Sequence, residues 1–294
     1  MRISQQQLVA NSLERMRKRL GEYERVQTQL GSGKVIQKPS DDAGRMNTIL
    51  ALRSTHRSRE QEARNAQDGA TWVGLTDTKL QEASEALRRA RDLIVAAGNP
   101  MRPEERSAAA AELRAISEEL AAIANSKHHD QSVFGGFADG SAVTQVAGVW
   151  TFTGDAGKVT RRISDYEVVT VNLSANEVFG FAAGDNVFDR LTSIAADIEA
   201  DVPNAASVAL ADVDAAADRI YLGLAQVGAT GNRIERALTR NSSETLTIKG
   251  ELSHIQDTDL AEAVMELQLQ EVAYQATLAA LAKSLQPSLV DFLR

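Results

Sequence analysis

Residues 210–255 read LADVDAAADRIYLGLAQVGATGNRIERALTRNSSETLTIKGELSHI. Leu210, Val213, Ala217, Ile220, Leu224, Val227, Gly231, Ile234, Leu238, Asn241, Thr245, Ile248, Leu252 and Ile255 recur at alternating steps of three and four without a slip. That spacing is the seam of a coiled coil and not the period of a strand. A stripe of this length demands partner helices along it, because an isolated helix cannot bury its own apolar face.

Earlier segments supply such partners. Val73, Leu80, Leu87 and Ile94 repeat every seven residues in a helix expected from about Asp42 to Ala97, with Gly98-Asn99-Pro100 as its stop. A further helix opens after Pro103, with Glu104 and Glu105 in its first turn and Ala109, Leu113, Ile116, Leu120 and Ile123 on one stripe.

Outside this middle section both chain ends carry heptads of their own. From Ile3 to about Leu30 the seam reads Leu13, Met16, Leu20, Tyr23, Leu30, with Gln27 filling the vacant slot. It stops at Gly31-Ser32-Gly33. Lys38-Pro39-Ser40-Asp41-Asp42 then forbids continuing helix at Pro39 and offers Ser40 or Asp41 as the next N-cap. At the other end the phase slips at Asp257-Thr258-Asp259, after which Leu260, Val264, Leu267, Tyr274, Leu278, Leu281 and Leu285 mark a last helix running to Pro287.

Between Ser132 and about Gly184 Gly, Thr and Val rise. Val149–Thr153 and Tyr166–Leu173 read there as strands, and helix resumes at Asp185 with a pause at Pro203. The expected fold is therefore mainly α, an elongated antiparallel helical rod with the N- and C-terminal helices paired and a small β-rich insert at its distal end. The expected parts are a terminal coiled-coil region of 1–38 with 256–294, a helical rod of 39–131 with 185–255, and an insert of 132–184.

Composition narrows the function classes. Aromatic residues are 4% and prolines number five, a balance that suits long helices. A formal charge of -8 argues against nucleic acid as a partner. The charge is polarised: Arg15, Arg17, Lys18, Arg19 and Arg25 stand in the first helix, against Asp259, Glu262, Glu266 and Glu271 in the last, so the ends are electrostatically complementary. No cysteine is present, which removes disulfides, thiolate metal sites and thiol nucleophiles. The first residues lack an apolar run of signal-peptide length, which reads as cytoplasmic or as export without a cleaved signal.

Motifs with chemistry are few. Gly31-Ser32-Gly33-Lys34 lacks the Gly and the Ser or Thr that a phosphate loop needs at Thr28 and Val35, and reads as a break between helices. His128-His129-Asp130 has no spaced ligand to complete a metal site and reads as a solvated helix end. No catalytic set, cofactor site or metal site is expected, nor a small-molecule substrate. Asn241 and Thr245 on the long seam either fix register or mark loose packing, and Gly231 marks close helix approach or a tolerated weak point. The basic first helix could also lie on an anionic membrane.

Several segments resemble one family in order along the chain. They are Gln29–Lys34 with Pro39–Ala43, Arg64–Gly69, Arg89–Leu93, Gly228–Ile234 and Ile255–Ala261, and they are similar to the bacterial flagellins. Within the insert Val133–Phe137, Phe152–Asp155 and Glu177–Gly180, and at the end Gln286–Leu293, resemble the branch of flagellin-like hook-associated proteins at the hook–filament junction. Ala43-Gly44-Arg45 departs from that branch towards filament flagellin, which stays as the alternative. A cytoplasmic coiled-coil signalling hairpin is the alternative of another class.

The resemblance implies a structural subunit and not an enzyme. It implies an extracellular subunit of the flagellum, exported by the flagellar type III apparatus with an export chaperone. It also implies a ring of copies that touches a neighbouring hook-associated protein and flagellin. Leu13, Met16, Leu20, Val264, Leu267, Leu278, Leu281 and Leu285 are then the expected polymerisation contacts, Pro39, Ser40, Asp41 and Asp42 the helix connection, and the insert an outward-facing decoration.

Overall fold

The computed structural model describes residues 2–285. Seven helices and three β-hairpins alternate in these residues: α1 (Arg2–Ser32), α2 (Ala43–Ala97), α3 (Pro103–Ala124), β1 (Lys127–His128), β2 (Gln131–Ser132), β3 (Val143–Val146), β4 (Val149–Phe152), β5 (Thr160–Ser164), β6 (Glu167–Thr170), α4 (Ala175–Val178), α5 (Val187–Glu199), α6 (Ala205–Gln256) and α7 (Leu260–Leu285). The chain is mainly α, as the heptads require. Among the described residues no helix is long and apolar enough to cross a membrane.

Contacts divide the chain into two compact units, one of residues 1–57 with 245–294 and the other of residues 58–244. In the second unit the α6 seam packs on α2. Val213, Ile220, Val227 and Ile234 are buried every seventh residue, and Leu210, Ala217, Leu224 and Leu238 between them are half-buried. Val73, Leu80, Leu87 and Ile94 of α2 are buried as well, each contributing roughly 1.5–3 kcal/mol of transfer free energy. The two helices run antiparallel: Gly231 lies beside Val73, Gly223 beside Leu80, and Asp214 accepts from Arg91 at 2.8 Å.

A Cβ at Gly231 would meet Val73 Cγ1 at 3.6 Å, an ordinary contact. Gly231 is therefore a tolerated weak point and not a close approach. α5 covers α3, with Ser117 Oγ donating to Phe188 O at 3.0 Å and Arg114 pairing with Glu199 at 2.6 Å.

The hairpins do not join into one sheet. Two of them turn on residue pairs with positive φ, His129-Asp130 (47° and 66°) and Ala147-Gly148 (54° and 88°), the twist that two-residue loops favour. His128-His129-Asp130 is thus a hairpin and not the solvated helix end expected from sequence. The His128 ring meets Trp72 edge-on, with centroids 5.4 Å apart.

The inner side of the insert packs on the helices. Phe134, Val143, Val159, Ile163, Val169, Val171 and Phe179 are buried in the same core as α2, α3 and α6. The three insert motifs meet one another. Asp155 Oδ1 accepts from Phe137 N and Gly157 N, both at 2.8 Å, and Phe134 stacks edge-on against Phe179 at 5.7 Å. Gly136, at φ 73°, has no room for a Cβ beside the Asp155 carboxylate.

Candidate assembly surface

The first unit holds the two segments on which the sequence placed its functional residues, the 31–42 connection and the terminal helices. The connection is built by backbone pairing across the chain. Val35 N donates to Gln256 O at 2.7 Å and Thr258 N to Gly33 O at 2.9 Å, with Lys34 and Asp257 bridged between them. Gly33, at φ 70°, makes the turn. The Gly-Ser-Gly-Lys segment is thereby spent on structure.

Gln256 is buried and serves both sides. Its Nε2 donates to Ile36 O at 3.2 Å, and its Oε1 accepts from Arg53 Nη2 at 3.1 Å. Ile36, Met46 and Ile49 form a small core beside it, closed by Leu252 and Ile255.

Pro39, Ser40, Asp41 and Asp42 lie in this connection, and the sequence misassigned its cap. Arg45 N donates to Asp42 Oδ1 at 2.9 Å, so Asp42 caps α2, while Ser40 and Asp41 lie outside the helix. Asp41 instead folds its carboxylate back on the turn, where Oδ2 accepts from Gln37 N at 3.0 Å and Lys38 N at 3.1 Å. Those backbone hydrogen bonds hold its pKa below the ordinary carboxylate value.

The turn gains from ionised Asp41 above the unfolded pKa, and that gain is lost as pH falls through the lower folded value. Protection factors of the Gln37 and Lys38 amides, taken against intrinsic exchange at each pH, should therefore fall below about pH 4, and Asp41→Asn should remove that fall. An unchanged profile in the variant would exclude this role.

α1 and α7 pack side by side in antiparallel fashion. Arg25 Nη2 pairs with Glu266 Oε1 at 3.5 Å, and Arg19 Nη1 donates to Gln270 Oε1 at 3.5 Å. The charge complementarity read from the sequence is thus realised at one ion pair among the described residues, with Arg19 also paired to Glu22 on its own helix. The seam differs by one residue from the sequence reading: Val26 is fully buried and Gln27 exposed. Tyr23, Val26 and Leu30 keep the three–four spacing, so the apolar residue takes the inside and the amide the water.

α7 begins at a side-chain cap, with Asp259 Oδ1 accepting from Ala261 N at 2.9 Å and Glu262 N at 3.2 Å.

The expected contact residues split into two groups. Met16 and Leu267 are half-buried in the pair, whereas Leu13, Leu20, Val264 and Leu278 remain 42%, 37%, 44% and 41% exposed. The side chains of Leu281 and Leu285 lie outside the described residues. Met265, Leu269 and Val272, which sequence reasoning passed over, are 65%, 67% and 64% exposed. At about 100° per residue these three fall on one face of α7, opposite Ala263, Glu266, Gln270 and Tyr274, which are buried or half-buried. The heptad could have shown it, since Met265 to Leu269 to Val272 repeats the four–three step in a second register.

Two family models match the chain: the bacterial flagellin N-terminal helical region over residues 3–134 and the bacterial flagellin C-terminal helical region over residues 210–293. The chain belongs to the bacterial flagellin family. It is 24% identical to the flagellin of Bacillus subtilis strain 168 over 97% of both chains. It is 26% identical to flagellin FlaB2 of Treponema pallidum over 87% of this chain and 86% of that one.

Among solved structures the fold resembles FlgL of Bacillus cereus, with a TM-score of 0.61 at 21% identity, covering 69% of this chain and 99% of that one. It also resembles flagellar hook associated protein-3 of Legionella pneumophila, with a TM-score of 0.64 at 16% identity over 70% and 98%. The family is one of structural subunits of the flagellum. The hairpins of residues 135–209 lie between the two matched regions.

Proposed function

We propose that this chain is a structural subunit of the bacterial flagellum that sits at the junction of hook and filament, polymerising through α1 and α7. The carrying observation is the exposure of large apolar side chains on the α1–α7 pair, Leu13, Leu20, Val264 and Leu278 with Met265, Leu269 and Val272. A two-helix pair cannot bury this surface by itself, and an array of such pairs does.

On this reading copies of the chain form a ring between a hook-associated protein and flagellin. The chain is escorted by an export chaperone, leaves through the flagellar type III apparatus and performs no catalysis. The expected division into a terminal region of 1–38 with 256–294, a helical rod and an insert belongs to the same proposal. A likeness of fold to hook-associated proteins supports the junction, and the flagellin relatives support the filament as the second reading.

Seeded growth separates the two. Purified chain added to hook ends bearing the preceding hook-associated protein should add a layer of limited thickness and stop, then accept flagellin. Continuous filament growth from this chain alone would establish the filament reading in its place.

A further inference from the structure

The β5–β6 hairpin crosses both long helices of the second unit and is tied to each by polar groups. On α2, Asn65 Nδ2 donates to Arg162 O at 3.1 Å, Asp68 pairs with Arg161 at 2.6 Å and Arg59 with Asp165 at 3.0 Å. On α6, Arg233 and Arg240 pair with Glu167 at 3.2 and 3.5 Å, and Asn241 Nδ2 donates to Ile163 O at 3.3 Å. A register shift between Arg162 and Ser164 lies at Ile163, which is fully buried over the helices.

We propose that this hairpin is an electrostatically fastened strap that opens as a unit while the helices beneath it stay folded. Three observations support release. A two-stranded hairpin has little stability of its own, so docking onto the helices supplies it. Most of the fastening charges are partly exposed, where ion pairs are weak and salt screens them. The docked state also leaves two buried polar atoms unpaired, Asn241 Oδ1 and Ser164 Oγ, a penalty that opening relieves.

Opening uncovers the apolar floor on which the segment rests, where Gly69 lies against Val171 and Ile234. The insert thereby becomes a movable element on a fixed helical frame, a property independent of where the subunit assembles.

Amide exchange of the full chain tests this. Raising salt to about 1 M, where the screening length falls to about 3 Å, should accelerate exchange at residues 160–170 roughly tenfold and leave the α2 and α6 amides beneath it unchanged. Glu167→Gln should do the same at low salt. The swap Glu167→Arg with Arg233→Glu and Arg240→Glu should restore protection. Equal acceleration of α2 and α6, or none in the hairpin, would overturn the strap.

Discussion

Replacing Arg59 by methionine is expected to lower the unfolding free energy of the 58–244 unit by about 3 kcal/mol, a cost in the range found when one partner of a buried pair is removed. Arg59 is 16% exposed and meets three carboxylates, Glu62 at 2.7 Å, Glu244 at 2.8 Å and Asp165 at 3.0 Å. The Glu62 hydrogen bond, first among these contacts, pushes the guanidinium pKa further up. Glu62 is itself 4% exposed, so methionine strands a buried carboxylate.

Removing both charges, as Arg59→Met with Glu62→Leu, should recover most of the loss. Trp72 and Trp150 both lie in this unit, so fluorescence-detected urea unfolding reads it directly. By comparison Arg91 and Asp214 are about half exposed, where an ion pair adds little, and Arg91→Met should cost far less. Equal losses at Arg59 and Arg91 would refute the central place given to the Arg59 cluster.

That cluster marks where sequence reading runs out. The helices were legible because period and burial coincide: the seam from Leu210 to Ile255 is buried or half-buried throughout, and Leu80, Leu87 and Ile94 fill the stripe that faces it. Two of the strands, β4 and β6, were legible from Val149–Thr153 and Tyr166–Leu173, while their partners β3 and β5 and the short β1–β2 hairpin were not. Their docking was not, since Asp165 and Glu167 find Arg59, Arg233 and Arg240 across about seventy to a hundred residues, and no local pattern encodes which charges meet.

The cap at Asp42 was missed by one or two positions because Ser40, Asp41 and Asp42 are all competent caps. Only the return of Asp41 onto Gln37 and Lys38 settles which is free to act. At the assembly surface the sequence found apolar residues but not their orientation. A stripe buried against α1 and one facing outward look alike until the partner's side is known.

The outward stripe gives the second large effect. Met265→Gln, Leu269→Gln and Val272→Gln together should leave the monomer intact, because all three side chains are about two-thirds exposed and the unit of 58–244 contains none of them. Glutamine keeps helix propensity, so α7 should stay helical and paired with α1.

Assembly should suffer heavily. If each side chain gives up roughly 1.5 kcal/mol of burial at a subunit contact, the triple variant loses about 4.5 kcal/mol per contact, and the concentration needed for assembly rises about a thousandfold. Leu13→Gln with Leu20→Gln, on α1, tests the residues the sequence chose, and there the loss should be smaller because both are already more than half covered in the monomer. Seeded-assembly assays on the two variants rank the faces. A triple variant that assembles as readily as the parent chain removes the outer face of α7 from the interface and returns the contact to the α1 side of the pair.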